Sequence, residues 1–199
     1  MLCTDYHVFD NPLVQSDLQV FSIDLSLPHS PETEPDGYAP LEMSTLPSAV
    51  TDYMAETVCD MIPIVKPATC SSPLPELVYF IHKMSVRSHM DWQVAIIALI
   101  YLHRCKRALP KGAVGNPDTA HRMFLAAVLI ASKFVQDANM TVTPRLTNQK
   151  LCSLCDGMYT LRDIGDLERA FLKILKYRCW VSHDDIHRFL YKHRADLLL

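Results

Sequence analysis

The sequence predicts an all-α protein, a five-helix bundle around a buried central helix, with one helix before the bundle and one after it. Three observations predict this. The stretch from Thr119 to Asp137, TAHRMFLAAVLIASKFVQD, has no charge between Arg122 and Lys133, and its apolar residues cover every face of a helix. A helix apolar all round must be enclosed, and this run is too short for a bilayer, which needs about 20 apolar residues. A second stretch, VAIIALIYL from Val94 to Leu102, has the same character. No segment shows the apolar–polar alternation of a half-buried strand.

The elements follow in order. Residues 1–47 carry Pro12, Pro28, Pro31, Pro35, Pro40 and Pro47 with acidic residues between them. Such a stretch is expected to be a disordered acidic tail. Within it, Leu13 to Leu27 offers a short docking segment, and Ser30-Pro31 is a minimal proline-directed phosphorylation dipeptide or an unmodified proline turn. From Ser48 to Ile62, Val50, Met54, Val58 and Met61 recur at helical spacing, and Pro63 stops the helix. Residues 48–72 are therefore a helix and linker, the linker running on to Pro75. A helix over about 75–86 shows Leu77, Phe80, Ile81 and Met84 as one stripe. Asp91 is an N-cap for a helix over about 92–108. That helix ends in His103, Arg104, Lys106 and Arg107, charges suited to a helix C-terminus. Residues 109–118 form a turn-rich loop. Pro117 with Asp118-Thr119 starts the central helix, and Asp137-Ala138-Asn139 ends it.

Residues 138–146 form an extended connection. Thr147 to Asp156 is a short helix closed by Gly157. Thr160 and Asp163 make a capping box for a helix to about Cys179, with a stripe from Leu161 through Leu175 to Arg178. Ser182 and Asp185 make a second box for the last helix, which buries Ile186, Phe189 and Leu190.

The chemistry of the chain excludes more than it offers. Net charge is −3, so no global pull toward nucleic acid or anionic membrane exists. Seven cysteines and an N-terminus without a basic-then-apolar leader point to reduced thiols in the nucleus or cytoplasm. Cys152 and Cys155 with His183 and His187 supply four zinc-type ligands, but the gap between the pairs is far too long for a finger. Buried thiols on one helical face explain the cysteines, so no metal and no cofactor are expected. His183-Asp184-Asp185-Ile186-His187 approaches the metalloprotease H-E-x-x-H pattern with Asp in place of Glu. Asp is a methylene shorter, and the first turn of a helix favours acidic residues in any case. The basic cluster His103, Arg104, Lys106, Arg107 and Lys111 reads as a solvated helix end or a dock for an acidic or phosphorylated segment.

Two charges stand where apolar residues belong. Glu168 lies four residues from Ile164 and Leu172, inside the stripe of its helix. Lys133 follows Leu129 and Ile130 on the all-apolar helix. A charge near a core is costly unless paired. Two readings are open: an internal Lys133–Glu168 salt bridge, or polar heads on a groove rim that meet a partner's backbone.

ALIYLHR (98–104), HRMFLAAVLIASKF (121–134) and DLERAFLKILKYRCWVS (166–182) resemble the cyclin box, in the order that fold requires. The pattern is similar to single-box cyclins of the fungal phosphate-signalling type. The resemblance implies a cyclin box over residues 73–182 and a C-terminal helix over 183–199. It implies no catalytic residue, and a regulatory subunit that binds and activates a cyclin-dependent Ser/Thr kinase, with the kinase's substrates as further partners. It also implies that Lys133 and Glu168 anchor the kinase. Competing readings are a cyclin-like adaptor without a kinase and a module like transcription factor IIB. The second normally shows two repeats and a basic face, and neither is evident here. His103 stands where an acidic residue is usual in this family.

Overall fold

A computed structural model describes residues 46–64, 74–138 and 145–198. The expected tail with its docking segment and Ser30, most of the linker, and residues 139–144 of the extended connection lie outside the described residues. Seven helices are present among them: α1 (Ser48–Cys59), α2 (Leu77–Ser88), α3 (Trp92–Ala108), α4 (Thr119–Asp137), α5 (Asn148–Leu154), α6 (Leu161–Ile174) and α7 (His183–His193). No strand occurs among the described residues; a single parallel bridge joins Ile64 to Gly115. None of the described helices is long and apolar enough to cross a membrane.

Helix α4 is the axis of the fold. Every residue from Phe124 to Ser132 is buried. It packs on α1, α2, α3, α5 and α6. Ala127 and Ala131 are fully buried and give α4 the close approach to its neighbours that an all-round apolar helix needs. Helix α3 is buried continuously from Val94 to Leu102, so α3 and α4 form the double layer on which the other helices lie. His121, at the start of α4, is buried, with Nε2 2.9 Å from the Pro75 carbonyl and its ring edge-on to Phe80. That contact sets where the chain enters α2.

Capping fixes most of the helix starts. Asp91 accepts from the Val94 amide at 2.8 Å. Thr160 with Asp163, and Ser182 with Asp185, each form a reciprocal capping box. At α4 the expected start is right but the cap differs: the Asp118 side chain makes no cap bond and pairs with Arg122 at 3.6 Å. Replacing Thr160 or Ser182 by alanine is expected to cost about 0.5–2 kcal/mol in urea unfolding. Ser182→Ala is expected to cost the more of the two, because Asp185 of the same box also holds Arg104 at 3.2 Å.

Three helix ends depart from the sequence expectation, two through local backbone bonds and one where backbone carbonyls also find tertiary partners. Helix α1 stops at Cys59, before Met61 and Ile62, because the Met61 amide tightens onto the Val58 carbonyl. Helix α2 runs two residues further than expected, to Ser88. It closes when His89 turns left-handed at φ 52° and the Met90 amide bonds the Ser85 carbonyl. Helix α6 ends at Ile174, not near Cys179, and Arg178 is outside it. There the Tyr177 amide reaches the Leu172 carbonyl and the Lys176 amide the Lys173 carbonyl, the paired bonds of a helix closed by a left-handed residue. Lys176 and Tyr177 are both left-handed, at φ 53° and 57°. Each non-glycine residue held so costs about 1–2 kcal/mol. The Tyr101 hydroxyl donates to the Cys179 carbonyl at 2.6 Å, and Arg104 donates to the carbonyls of Arg178 and Trp180. These bonds hold the chain away from the α6 axis.

Helices α1, α3 and α7 meet in a half-buried aromatic cluster. Tyr53 Oη lies 3.2 Å from His103 Nε2 and 2.6 Å from His193 Nδ1. The His103 ring also packs edge-on to Phe189. Burial, followed by the nearby His193, Lys192, Lys106 and Arg107, pushes the His103 pKa down from 6.5 to about 4. His103 is thus a neutral packing residue, not a member of the charged helix end. Between these pH values the unfolded chain binds the proton and the folded chain does not, so stability falls as pH drops from 6.5 toward 4. Below about 4 the contribution is lost in full and this slope ends. His103→Gln is expected to flatten the decline in melting temperature over that window.

Candidate functional site

The two charges singled out in the sequence meet in space. Lys133 comes from the C-terminal half of α4 and Glu168 from the middle of α6, and these helices pack side by side. Lys133 Nζ donates to Glu168 Oε1 at 2.5 Å and to Asn148 Oδ1 at 2.7 Å. Asn148 Nδ2 donates to Glu168 Oε2 at 2.8 Å. The three side chains therefore close a ring of hydrogen bonds across α4, α6 and the first residue of α5. Thr147 caps α5 by accepting from the Lys150 amide, which places Asn148 at the rim.

This ring is neither core nor open surface. The side chains of Lys133 and Glu168 are 22% and 18% exposed. An ion pair at that depth is screened less than one in water, and losing one partner strands the other. The ring also retains capacity. A lysine has three donors and a carboxylate about four acceptor positions, and only two of each are engaged here. One Lys133 donor and two Glu168 acceptor positions are thus left for further hydrogen bonds.

Asn148 is the site residue that sequence reasoning missed. Its partners lie 15 and 20 residues away, so no helical spacing links them. The only signal is an amide at the first position of a short helix, which fits an ordinary polar helix start equally well.

The other sequence-level constellations resolve differently. Cys155 is buried, and its thiol is pushed up to about 11 chiefly by burial. Cys152 Sγ lies 3.4 Å from the Tyr159 carbonyl. The His183 and His187 rings lie against each other on α7, tilted by 41°, with their Nε2 atoms 2.9 Å apart. Among the described residues, no group of three or more His, Cys, Asp or Glu is arranged to hold a metal ion. In the H-E-x-x-H-like run, Asp185 serves the capping box and Arg104, while Asp184 is exposed.

Comparison with known proteins agrees with this geometry. The family described as "Cyclin, N-terminal domain" matches residues 52–179. PHO85 cyclin-1 of Saccharomyces cerevisiae is 31% identical over 153 residues, covering 71% of this chain and 53% of that protein. PHO85 cyclin-2 of the same yeast is 25% identical over 140 residues, covering 69% of this chain and 44% of that protein. The chain thus spans about half the length of the curated relatives it matches. No solved structure matches. The family match covers all of α2 to α6 and most of α1, with α4 enclosed among them, and the chain belongs to the cyclin family.

Proposed function

We propose that the chain is a non-catalytic regulatory subunit that binds a cyclin-dependent Ser/Thr kinase and favours its active arrangement. The observation that carries this reading is the Lys133–Asn148–Glu168 ring at the rim of a cyclin fold. Family membership supplies the partner class, and the relatives that name a partner are PHO85 cyclins. The rim supplies a mechanism. Lys133 presents a charged donor suited to the last carbonyls of a partner helix, and Glu168 an acceptor suited to backbone amides. Each such contact also depends on the helix the residue comes from, so α4 and α6 together hold the partner helix in one orientation. In kinases the helix so held carries the glutamate that must pair with the nucleotide-binding lysine. Pull-down of the full chain from a native extract, followed by a protein-kinase assay, tests the reading. Kinase activity retained by the chain and absent from a mock column is the expected result. A chain that recovers no kinase activity from extracts where another cyclin does would favour the adaptor reading.

A further inference from the structure

A groove of about 680 Å³ opens between the C-terminal end of α3, the turn after α6 and the first turns of α7. Arg104, Arg107, Lys176, Arg178 and Arg188 line it, against one carboxylate, Asp185. That carboxylate is already committed, because it closes the α7 capping box and pairs with Arg104. Arg104 in turn is a brace, spent on the Arg178 and Trp180 carbonyls and on Asp185. The other cations are not spent in this way. Lys176 and Arg178 have no side-chain partner among the described residues. Arg107 gives only its Nε to the His103 carbonyl, and Arg188 makes one long contact, 3.5 Å, with Asp185.

The backbone supplies a second, independent observation. Lys176 and Tyr177 are consecutive left-handed residues without a glycine between them. Glycine would close α6 with less strain, yet lysine stands at the turn and its side chain lines the groove. Strain retained at one short segment is a feature of binding sites. Trp180, on the groove wall, and Tyr177, between the groove residues Lys176 and Arg178 in the chain, are 57% and 65% exposed. The chain as a whole is acidic, but it has no Lys or Arg before Lys66. Its positive charge therefore collects from Lys66 onward, and here it converges from three elements.

We propose that this groove docks a phosphorylated serine or threonine segment of a partner protein. A phosphate carries about −1.5 to −2 charges and three strong acceptor oxygens. Arginine forks bind it in two-point fashion, and lysine adds a point charge. A single carboxylate offers only about half to two-thirds of that charge to the same cluster. Trp180 gives an apolar surface for residues flanking the phosphate. The site is separate from the Lys133–Glu168 ring and does not depend on kinase binding.

The test uses the full chain without kinase. The probe is a fluorescein-labelled ten-residue peptide of Ala, Gly and one Ser-Pro, in phosphorylated and unphosphorylated forms, read by anisotropy. The phosphorylated form is expected to bind at least tenfold tighter. Lys176→Glu with Arg178→Glu is expected to remove that difference while leaving the helical circular dichroism unchanged. Arg178→Gln serves the same purpose if the charge reversal does not fold. Lys176→Gly separates the two roles of that position: it is expected to raise the melting temperature by about 2–4 °C per kcal/mol of relieved strain and to weaken phosphopeptide binding several-fold. Equal binding of the two peptides, or binding indifferent to these substitutions, would overturn the proposal. So would tighter binding of a single-stranded oligonucleotide of the same charge.

Discussion

Chains carrying Lys133→Leu or Glu168→Leu are expected to lose co-purifying kinase and its activity. The loss of one charge-assisted contact at a desolvated rim costs about 2–5 kcal/mol of binding. That corresponds to roughly 30-fold to several-thousand-fold in affinity. The ring adds a second effect in the free chain. Lys133→Leu leaves Glu168 with Asn148 alone, and Glu168→Leu leaves Lys133 likewise. Each single variant is therefore expected to lose about 1–3 kcal/mol of stability. The double variant removes both charges and is expected to recover much of that, since replacing a buried pair by apolar residues is often neutral. Kinase binding is not expected to recover with it. Asn148→Ala provides a third arm: it keeps the ion pair, so it should lower stability less than either charge variant and reduce kinase binding only modestly. A double variant that melts like the parent and still activates kinase would sink the assignment. Full recovery of kinase binding together with stability would show that the pair acts only inside the fold.

The parts of this arrangement that were legible in the sequence share a physical basis. Helix starts are announced by side chains that satisfy local amides, so Asp91, Thr160 and Ser182 fix three of them. The enclosure of α4 follows from its composition alone, because apolar faces on every side need neighbours on every side. Lys133 and Glu168 were visible because a charge in an apolar stripe has to be accounted for. The end of α6 was not visible. Its stripe continues through Leu175, and no glycine or proline stands between Asp166 and Arg178 to end it. What stops the helix is remote: the Tyr101 hydroxyl and the Arg104 guanidinium bind the carbonyls of residues 178–180 from α3. His103 misled for a related reason. It follows nine buried residues and precedes three cations, yet its face of α3 turns toward Tyr53 and Phe189 rather than solvent. Periodicity reports which face is buried, not what a distant side chain does to a backbone.

Leu129→Ala is expected to be among the most damaging single changes to stability. Leu129 is fully buried at the middle of α4. Truncation there removes the transfer free energy of three carbon atoms and leaves a cavity that surrounding helices fill only in part. Such changes cost about 2–5 kcal/mol. The upper half of that range is expected, because α4 packs against five other helices and its neighbours cannot collapse onto it without losing contacts elsewhere. For a domain of this size about 2–4 °C of melting temperature is lost per kcal/mol. A fall of roughly 7–20 °C follows. Leu161→Ala is the matched control. It deletes the same atoms at a site 48% exposed, and changes at exposed sites usually lie within about 0.5 kcal/mol. Urea unfolding of both variants decides the matter through midpoint and slope together. If α4 is the packed axis, Leu129→Ala shifts the midpoint and leaves the slope unchanged, since the same surface is exposed on unfolding. A loss at Leu129 no larger than at Leu161 would mean that α4 is not enclosed, and with it would go the buried framework that carries Lys133 to the rim.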